Sequence, residues 1–541
     1  MTWTVFALSH RMTRPRNPLH RSKPLQKQIP RQPWLRRSAA ALVTILFYAV
    51  TIAAQAPGPT ARTAQYFDSI RNSPSKLFAF LLQMPKGGDL HSHLSGTIYA
   101  ESYIQWAAAA GDCVNTTTWA ASEAPCKTGQ VPITNALTNS VLFQQIIDGW
   151  SMRNWQLSGD SGHDHFFNTF GKFGVATYNN NGKMLAEAVT RAAHGNVSYL
   201  ELMLTPDGNS TGVLSSQIGV QVGWDGNAAS TLGKLKANGI DAAVPLAIKN
   251  LKDAEAEKDS ILKCGTPQAD PGCKVVIRYI AQVARNSPLG PVFAQMVTGF
   301  ALANLPDPKV VALNLVQAED GAPSMQNFSV HMQMLQFLRQ TYSGAHLSLH
   351  AGELVPGIVP PEGLTYHIRD SVTTAKANRI GHGVDIMHEK GAVALMEQMA
   401  RSKVMVEICL SSNDSILGVS GPQHPLATYL KYGVPVALAT DDEGVSRSEI
   451  SREYLRAVQD QGLGYMQLKM MARNSLQYAF ISGASLWSDA RKFVAVSQCA
   501  QDVAVMKLSS NACQQYVNSS AKANLQWKLE EDFRKFESTL K

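Results

Sequence analysis

The chain has 541 residues, 45% of them hydrophobic and 17% charged, with 39 Gly and 26 Pro, which excludes a disordered, collagenous or coiled-coil chain and leaves room for one large domain. The net charge of +8 does not point to nucleic acid: nine Lys or Arg and no acid fall within residues 1–56, leaving 40 basic against 41 acidic residues beyond. No long Lys/Arg run follows residue 56, so no nucleic-acid partner is expected.

The basic start (Arg11, Arg14, Arg16, Arg21, Lys23, Lys27, Arg31, Arg36, Arg37) runs into an uncharged stretch, residues 38–55, rich in Ala, Leu, Val and Ile. It reads as the charged and apolar regions of a secretory signal. Residues 1–56 are therefore expected to be a signal peptide or, if uncut, an N-terminal membrane anchor. The protein is expected to be exported, to a periplasm or the extracellular space, and to touch a membrane only through an uncleaved N-terminal segment. Ala54 and Ala56 fit a cleavage site and Pro57 does not, so the position of the cut stays open.

The seven cysteines fit that compartment. Cys113 with Cys126, Cys264 with Cys273, and Cys499 with Cys513 are near neighbours and read as three local disulfides. Cys409, alone in an apolar run, reads as a buried thiol. The absence of any CxxC pair speaks against a cysteine zinc site.

After a Pro/Ala/Thr linker, the spacing of Phe67, Ile70, Leu77, Phe80 and Leu81 predicts helix over 64–82. Eight short apolar runs follow, at 88–94, 197–204, 274–283, 310–317, 346–350, 379–384, 404–410 and 434–440. Helical patterns separate most of them, for example 184–194, 328–341 and 393–402. This alternation predicts an α/β fold, a (β/α)8 barrel, as one domain over 57–541. A long strand-free insertion, about residues 100–180, follows the first run and holds one cysteine pair with Trp119, Trp150 and Trp155. An insertion of that length reads as a lid or an added subdomain. Residues 446–541 are mostly helical in pattern, ending in a charged amphipathic helix over 525–540.

Polar residues close several of these runs. His91-Ser92-His93 ends the first, and an i, i+2 pair on a strand points both imidazoles to one face. The fifth ends in His350-Ala351-Gly352-Glu353, the sixth carries Gly381-His382-Gly383, and the eighth ends in Thr440-Asp441-Asp442. In a barrel these ends converge on the face that carries active sites. Three imidazoles and a carboxylate, His91, His93, His350 and Asp441, suit a zinc ion that acidifies a water. Glu353 is then a candidate proton donor or acceptor, and His382 a candidate to orient or deprotonate the water.

Met84-Pro85-Lys86 before His91-Ser92-His93, with His350-Ala351-Gly352-Glu353, Arg379-Ile380-Gly381-His382-Gly383, Ser411-Ser412-Asn413 and Thr440-Asp441-Asp442, resembles the adenosine deaminase family over residues 83–480. The export signal, the cysteine-bearing insertion and Gly162-His163-Asp164-His165-Phe166-Phe167 resemble its secreted branch, the adenosine deaminase-related growth factors. The resemblance implies hydrolytic deamination of adenosine or a close analogue, with one zinc per chain on His91, His93, His350 and Asp441. It also implies ring-nitrogen protonation by Glu353, assistance to the attacking water by His382, and contact between Asp442 and the purine.

Two positions depart from the family pattern. Ser95 stands where intracellular members place an acidic ribose contact, and Gln317 stands where the family has a Gly near the purine. Gln317 and His163 are expected at the substrate, with Trp150, Trp155, Phe166, Phe167 and Phe170 as candidate pocket walls, part of 163–170 being favoured among them. The segment before the barrel is shorter than the dimerisation segment of animal members, so a homodimer is left open. Besides adenosine and 2′-deoxyadenosine, another 6-aminopurine stays open as substrate. So does a secreted adenosine-binding or signalling protein with weak catalysis.

Overall fold

Continuous apolar runs need cover on both faces, and a parallel sheet wrapped in helices supplies it. The computed structural model describes residues 58–539; the expected signal or anchor over 1–56 lies outside the described residues. Eight strands pair in chain order, all parallel: β1 (Gly87–His93), β2 (Val197–Leu204), β3 (Val276–Ala284), β4 (Val310–Val316), β5 (His346–Ala351), β6 (Arg379–His382), β7 (Met405–Ile408) and β8 (Val436–Leu438). The circle closes where Ser92 bridges Asp441. There the His93 N–H donates to the Asp441 carbonyl at 2.9 Å and the Asp441 N–H to the His91 carbonyl at 2.8 Å. The expected (β/α)8 barrel is the observed one. Gly381 lets it close around the site: a Cβ there would lie 2.5 Å from His91 Cε1, so only a hydrogen on β6 leaves room for that ring.

The helix expected over 64–82 is two helices, Pro59–Ile70 and Pro74–Gln83. Pro74 lacks an N–H and disfavours helical geometry at the residue before it, and Ser73 is extended, with φ −115° and ψ 93°. Phe80 packs edge-on against Phe536 of the last helix, Ala521–Thr539, at 4.9 Å. Glu537 of that helix accepts from Tyr465 Oη at 2.7 Å and Lys469 Nζ at 2.6 Å. Lys86, buried just before β1, donates to the carbonyls of Leu81, Met84 and Gly195 at 2.6, 3.0 and 2.8 Å. Burial lowers its pKa to about 7, and its three N–H groups each meet a backbone carbonyl in return.

The insertion is not strand-free. Cys113–Asn115, Ala121–Ser122 and Gln130–Pro132 form a small antiparallel sheet, from strands too short to show alternation in sequence. Helices Ala100–Ala110, Ser140–Gly149 and Gly162–Phe173 complete it. The three cysteine pairs are disulfides as expected, and Cys409 is a buried free thiol. Cys499–Cys513 lies in a small separate core with Trp487 and Trp527. Among the described residues no helix is long and apolar enough to cross a membrane.

Candidate active site

His91 and His93 alternate on β1, so both rings face inward; His350 comes from β5 and Asp441 from just past β8. His350 Nε2 lies 3.1 Å from His91 Nε2 and 3.3 Å from His93 Nε2. Asp441 Oδ1 lies 3.3 and 3.4 Å from the same two nitrogens. All four residues are buried, and their ligand atoms form one group able to hold an ion.

The proton positions decide what the group fits. His91 Nδ1–H donates to Glu407 Oε2 at 2.6 Å. His350 Nδ1–H donates to Asn314 Oδ1 at 2.8 Å, an oxygen that also accepts the His350 backbone N–H at 2.8 Å. The Gln282 amide is 2.7 Å from His93 Nδ1, where a half-turn of the amide presents its oxygen as acceptor. With the Nδ1 atoms protonated, the three Nε2 atoms are lone pairs, and Asp441 Oδ1 has no hydrogen-bond partner. Neutral imidazoles held in this way turn three lone pairs and a carboxylate oxygen toward one point, so the set fits a cation; its nitrogen and oxygen donors suit zinc.

Glu353 is buried beyond β5. Burial, then the charges of Asp441 and Glu319, push its pKa well above the usual carboxylate range, which favours the protonated acid. Glu319 fixes the turn that carries it, accepting the N–H of Gly352 at 3.0 Å and of Glu353 at 2.9 Å, and is itself held by His367 Nδ1 at 2.5 Å. Asp442 has a buried Oδ1 without a partner. It sits so close to Gly96 that a Cβ there would lie 1.5 Å from that oxygen.

His382 is buried, which lowers its pKa to about 3 and leaves it neutral. Its tautomer follows from a fixed donor. The Leu426 backbone N–H donates to His424 Nδ1 at 3.2 Å. His424, held neutral by burial with a pKa of about 4, therefore carries its proton on Nε2. That N–H donates to Asn413 Oδ1 at 3.1 Å, which aims Asn413 Nδ2 at His382 Nδ1, 3.0 Å away. His382 Nδ1 is thus an acceptor and its proton sits on Nε2, which has no partner and lies 4.0 Å from Asp441 Oδ2. His382, Asp441 and Gln317 have φ of +67°, +60° and +78°. For side-chain-bearing residues such conformations cost about 1–3 kcal/mol each and gather where function requires them.

His93, His350, Glu353, Asp441 and Asp442 border a cavity of about 480 Å³, while His91 and His382 lie behind its lining. Phe166, Phe167 and Phe170 of the insertion line one side; Ser95, Gln282 and Gln317 line it as well. Gln317 Oε1 accepts the Asn286 N–H at 3.0 Å, which ties the side chain back. His163 is not among the lining residues. Its two ring nitrogens lie 3.0 Å from Asp320 Oδ1 and 3.0 Å from Asp164 Oδ1, and its ring packs on Phe167 at 4.9 Å. It fastens the insertion helix to the loop after β4. Trp150 is buried away from the cavity, donating from Nε1 to the Trp119 carbonyl at 2.7 Å.

A family model described as adenosine deaminase matches residues 174–486. The chain belongs to the adenosine deaminase family. It is 36% identical over 174 residues to the adenosine deaminase of Yersinia pseudotuberculosis serotype O:1b (strain IP 31758), covering 32% of this chain and 47% of that one. It is 35% identical over 175 residues to the adenosine deaminase of Salmonella heidelberg (strain SL476), covering 32% and 47%. The chain spans about half the length of the curated relatives it matches. In fold it is similar to the crystal structure of arabidopsis ADAL complexed with IMP, with a TM-score of 0.52, 18% identity, and 84% of this chain and 99% of that one covered.

In this member of the adenosine deaminase family, sequence reasoning missed the residues that set the protons. Glu407 was visible as a lone acid inside an apolar run, a placement that demands a buried partner. Asn413 was visible in its motif and as the start of an Asn-x-Ser sequon, but its side chain is fully buried between two histidines and has no room for a glycan. His424, Asn314 and Glu319 carried no comparable signal.

Proposed function

We propose that this chain is an exported, zinc-dependent aminohydrolase that converts adenosine or 2′-deoxyadenosine and water into inosine or 2′-deoxyinosine and ammonia. The observation that carries the reading is the meeting, beside one cavity, of four side chains whose ligand atoms form one group able to hold an ion with a buried carboxyl group that burial biases toward the acid form. His91, His93, His350 and Asp441 would hold one zinc ion, which when bound acidifies a water. Glu353 passes its proton to the ring nitrogen beside the amino-bearing carbon, drawing electron density from that carbon as the water oxygen adds; of the two protons the water gives up, one returns to the Glu353 carboxylate and one goes to the amino group, which leaves as ammonia. His382 presents an N–H rather than a lone pair, so its part is to donate to the oxygen on which charge develops. Asp442 offers its partnerless Oδ1 to a polar edge of the purine.

The cavity favours a nucleoside over a nucleotide. No Lys or Arg lines it, and Arg285 beneath it is buried, with its guanidinium donating to the carbonyls of Leu315, Val316 and His350 at 2.9, 3.4 and 3.4 Å. A 5′-phosphate such as that of the IMP in the arabidopsis complex would find no lysine or arginine among the described residues that line this cavity. Export, to a periplasm or the extracellular space, is supported by the basic then apolar start of the sequence and by the three disulfides. The test is the ultraviolet absorbance of adenosine, 2′-deoxyadenosine and adenine mixed with the purified protein, alongside metal analysis. Loss of the adenosine band by zinc-loaded protein supports the assignment; folded, zinc-loaded protein that turns over none of the three sinks it.

A further inference from the structure

A larger cavity, about 740 Å³, opens at the opposite end of the barrel. Val311, His346 and Arg379, at or next to the first residues of β4, β5 and β6, and Val404, just before β7, place it at the N-terminal ends of the strands. The candidate active site occupies the C-terminal ends, so the two cavities are separated by the length of the barrel.

The lining of this second cavity is one-sided in charge. Lys376, Lys403, Lys522, Arg379 and His346 contribute to it, and no Asp or Glu does. Arg379 is already engaged, by Glu201 at 2.5 Å and Glu407 at 2.5 Å. Lys522 Nζ donates only to the Gln477 carbonyl, at 3.2 Å. Lys376 and Lys403 are exposed, and among the described residues neither ammonium has a carboxylate within ion-pair distance. Both lysines adopt left-handed backbone, with φ of +58° and +59°, where a glycine would be unstrained. The positive field shows in His346: burial first, then Arg379, Arg339 and Lys522, hold its imidazole down to about 4. The wall is also flat and aromatic. Phe480, His346 and Arg379 line it together, the Phe480 ring stacked on that of His346 at 4.5 Å and the Arg379 guanidinium 3.8 Å from the Phe480 centroid.

We propose that this cavity is a second binding site that takes a small organic phosphate, its phosphate met by Lys376, Lys403 and Lys522 and its organic part lying toward Phe480. Lysine ammonium groups meet phosphate as point charges without a fixed fork geometry, and a volume of this size suits a ligand larger than the anion alone.

The probe is ribose 5-phosphate, titrated calorimetrically into the full-length protein, with ribose as the uncharged control. Saturable binding of one equivalent that weakens as salt is added is expected, with no binding of ribose. In the Lys376→Gln/Lys403→Gln variant the Kd should rise about tenfold or more. Both side chains are exposed, and an unchanged circular dichroism spectrum verifies that the variant is folded. Absence of saturable binding to the unaltered protein overturns the proposal. So does undiminished affinity in the folded double variant, or displacement of the phosphate by saturating inosine, which would put it in the catalytic cavity.

Discussion

Asn413→Leu isolates the proton relay behind His382. The change keeps the branched four-atom side chain and removes both ends of the amide: the oxygen that accepts from His424 Nε2 at 3.1 Å and the nitrogen that donates to His382 Nδ1 at 3.0 Å. His424 is left with a buried N–H and no acceptor, because its Nδ1 already takes the Leu426 N–H. One orphaned buried donor costs about 1–3 kcal/mol of stability. The effect on turnover is separate. His382 would be free to place its proton on either nitrogen and to turn about its side-chain bonds, and outer-layer partners of this kind are worth about 10- to 100-fold in activity. Asn413→Asp makes the sharper test, since a carboxylate at that point can only accept and pulls the His382 proton to Nδ1, leaving a lone pair where an N–H belongs. Its kcat should fall at least as far as that of the leucine variant. Initial rates from the adenosine absorbance band, with metal content and thermal unfolding measured on the same samples, separate the two effects. A leucine variant that unfolds earlier but keeps the parent kcat, or an aspartate variant as active as the parent, would refute the argument that the His382 tautomer matters.

Glu353→Gln keeps the shape of the side chain but removes the carboxyl group that would transfer the proton; kcat should drop by about 10²- to 10⁴-fold with metal content unchanged, as read by elemental analysis. Removing metal by dialysis against a chelator should lower the midpoint of thermal unfolding, since an ion held at about 1,000 times its Kd stabilises by about 4 kcal/mol, and zinc should restore it. The hydrogen bond to Asp320, outweighing burial, raises the pKa of His163 to about 9. Its folded value thus exceeds its unfolded one, so the contact's contribution is complete below about pH 6.5 and fades as pH rises through 9. With solvent screening the contribution is about 1 kcal/mol. Asp320→Asn should therefore lower thermal stability at pH 6 and leave it nearly unchanged at pH 10, and an equal loss at both values counts against the ion pair.

The barrel was legible because each strand is buried on both faces and so appears as a short apolar run bounded by polar residues. The places where the runs overshoot the strands are informative. The run over 379–384 yields a strand only to His382, and the run over 434–440 only Val436–Leu438. His382 and Asp441 leave extended backbone for the left-handed region, so the residues that carry the proposed chemistry themselves end or follow the strands. Periodicity cannot register that, because it reports which side chains are buried and not the φ at which the chain turns. The ligand set was legible for a related reason: a polar residue at the end of an apolar run has few uses in a core. What stayed hidden was the position of each proton. Glu407 meets His91 across 316 residues, and the His382 tautomer descends from the Leu426 N–H through His424 and Asn413. A hydrogen bond has a direction, and a chain of them can be oriented only from a donor whose proton is fixed. In this site that donor is a backbone amide, the kind of group every residue but proline carries and no sequence motif distinguishes.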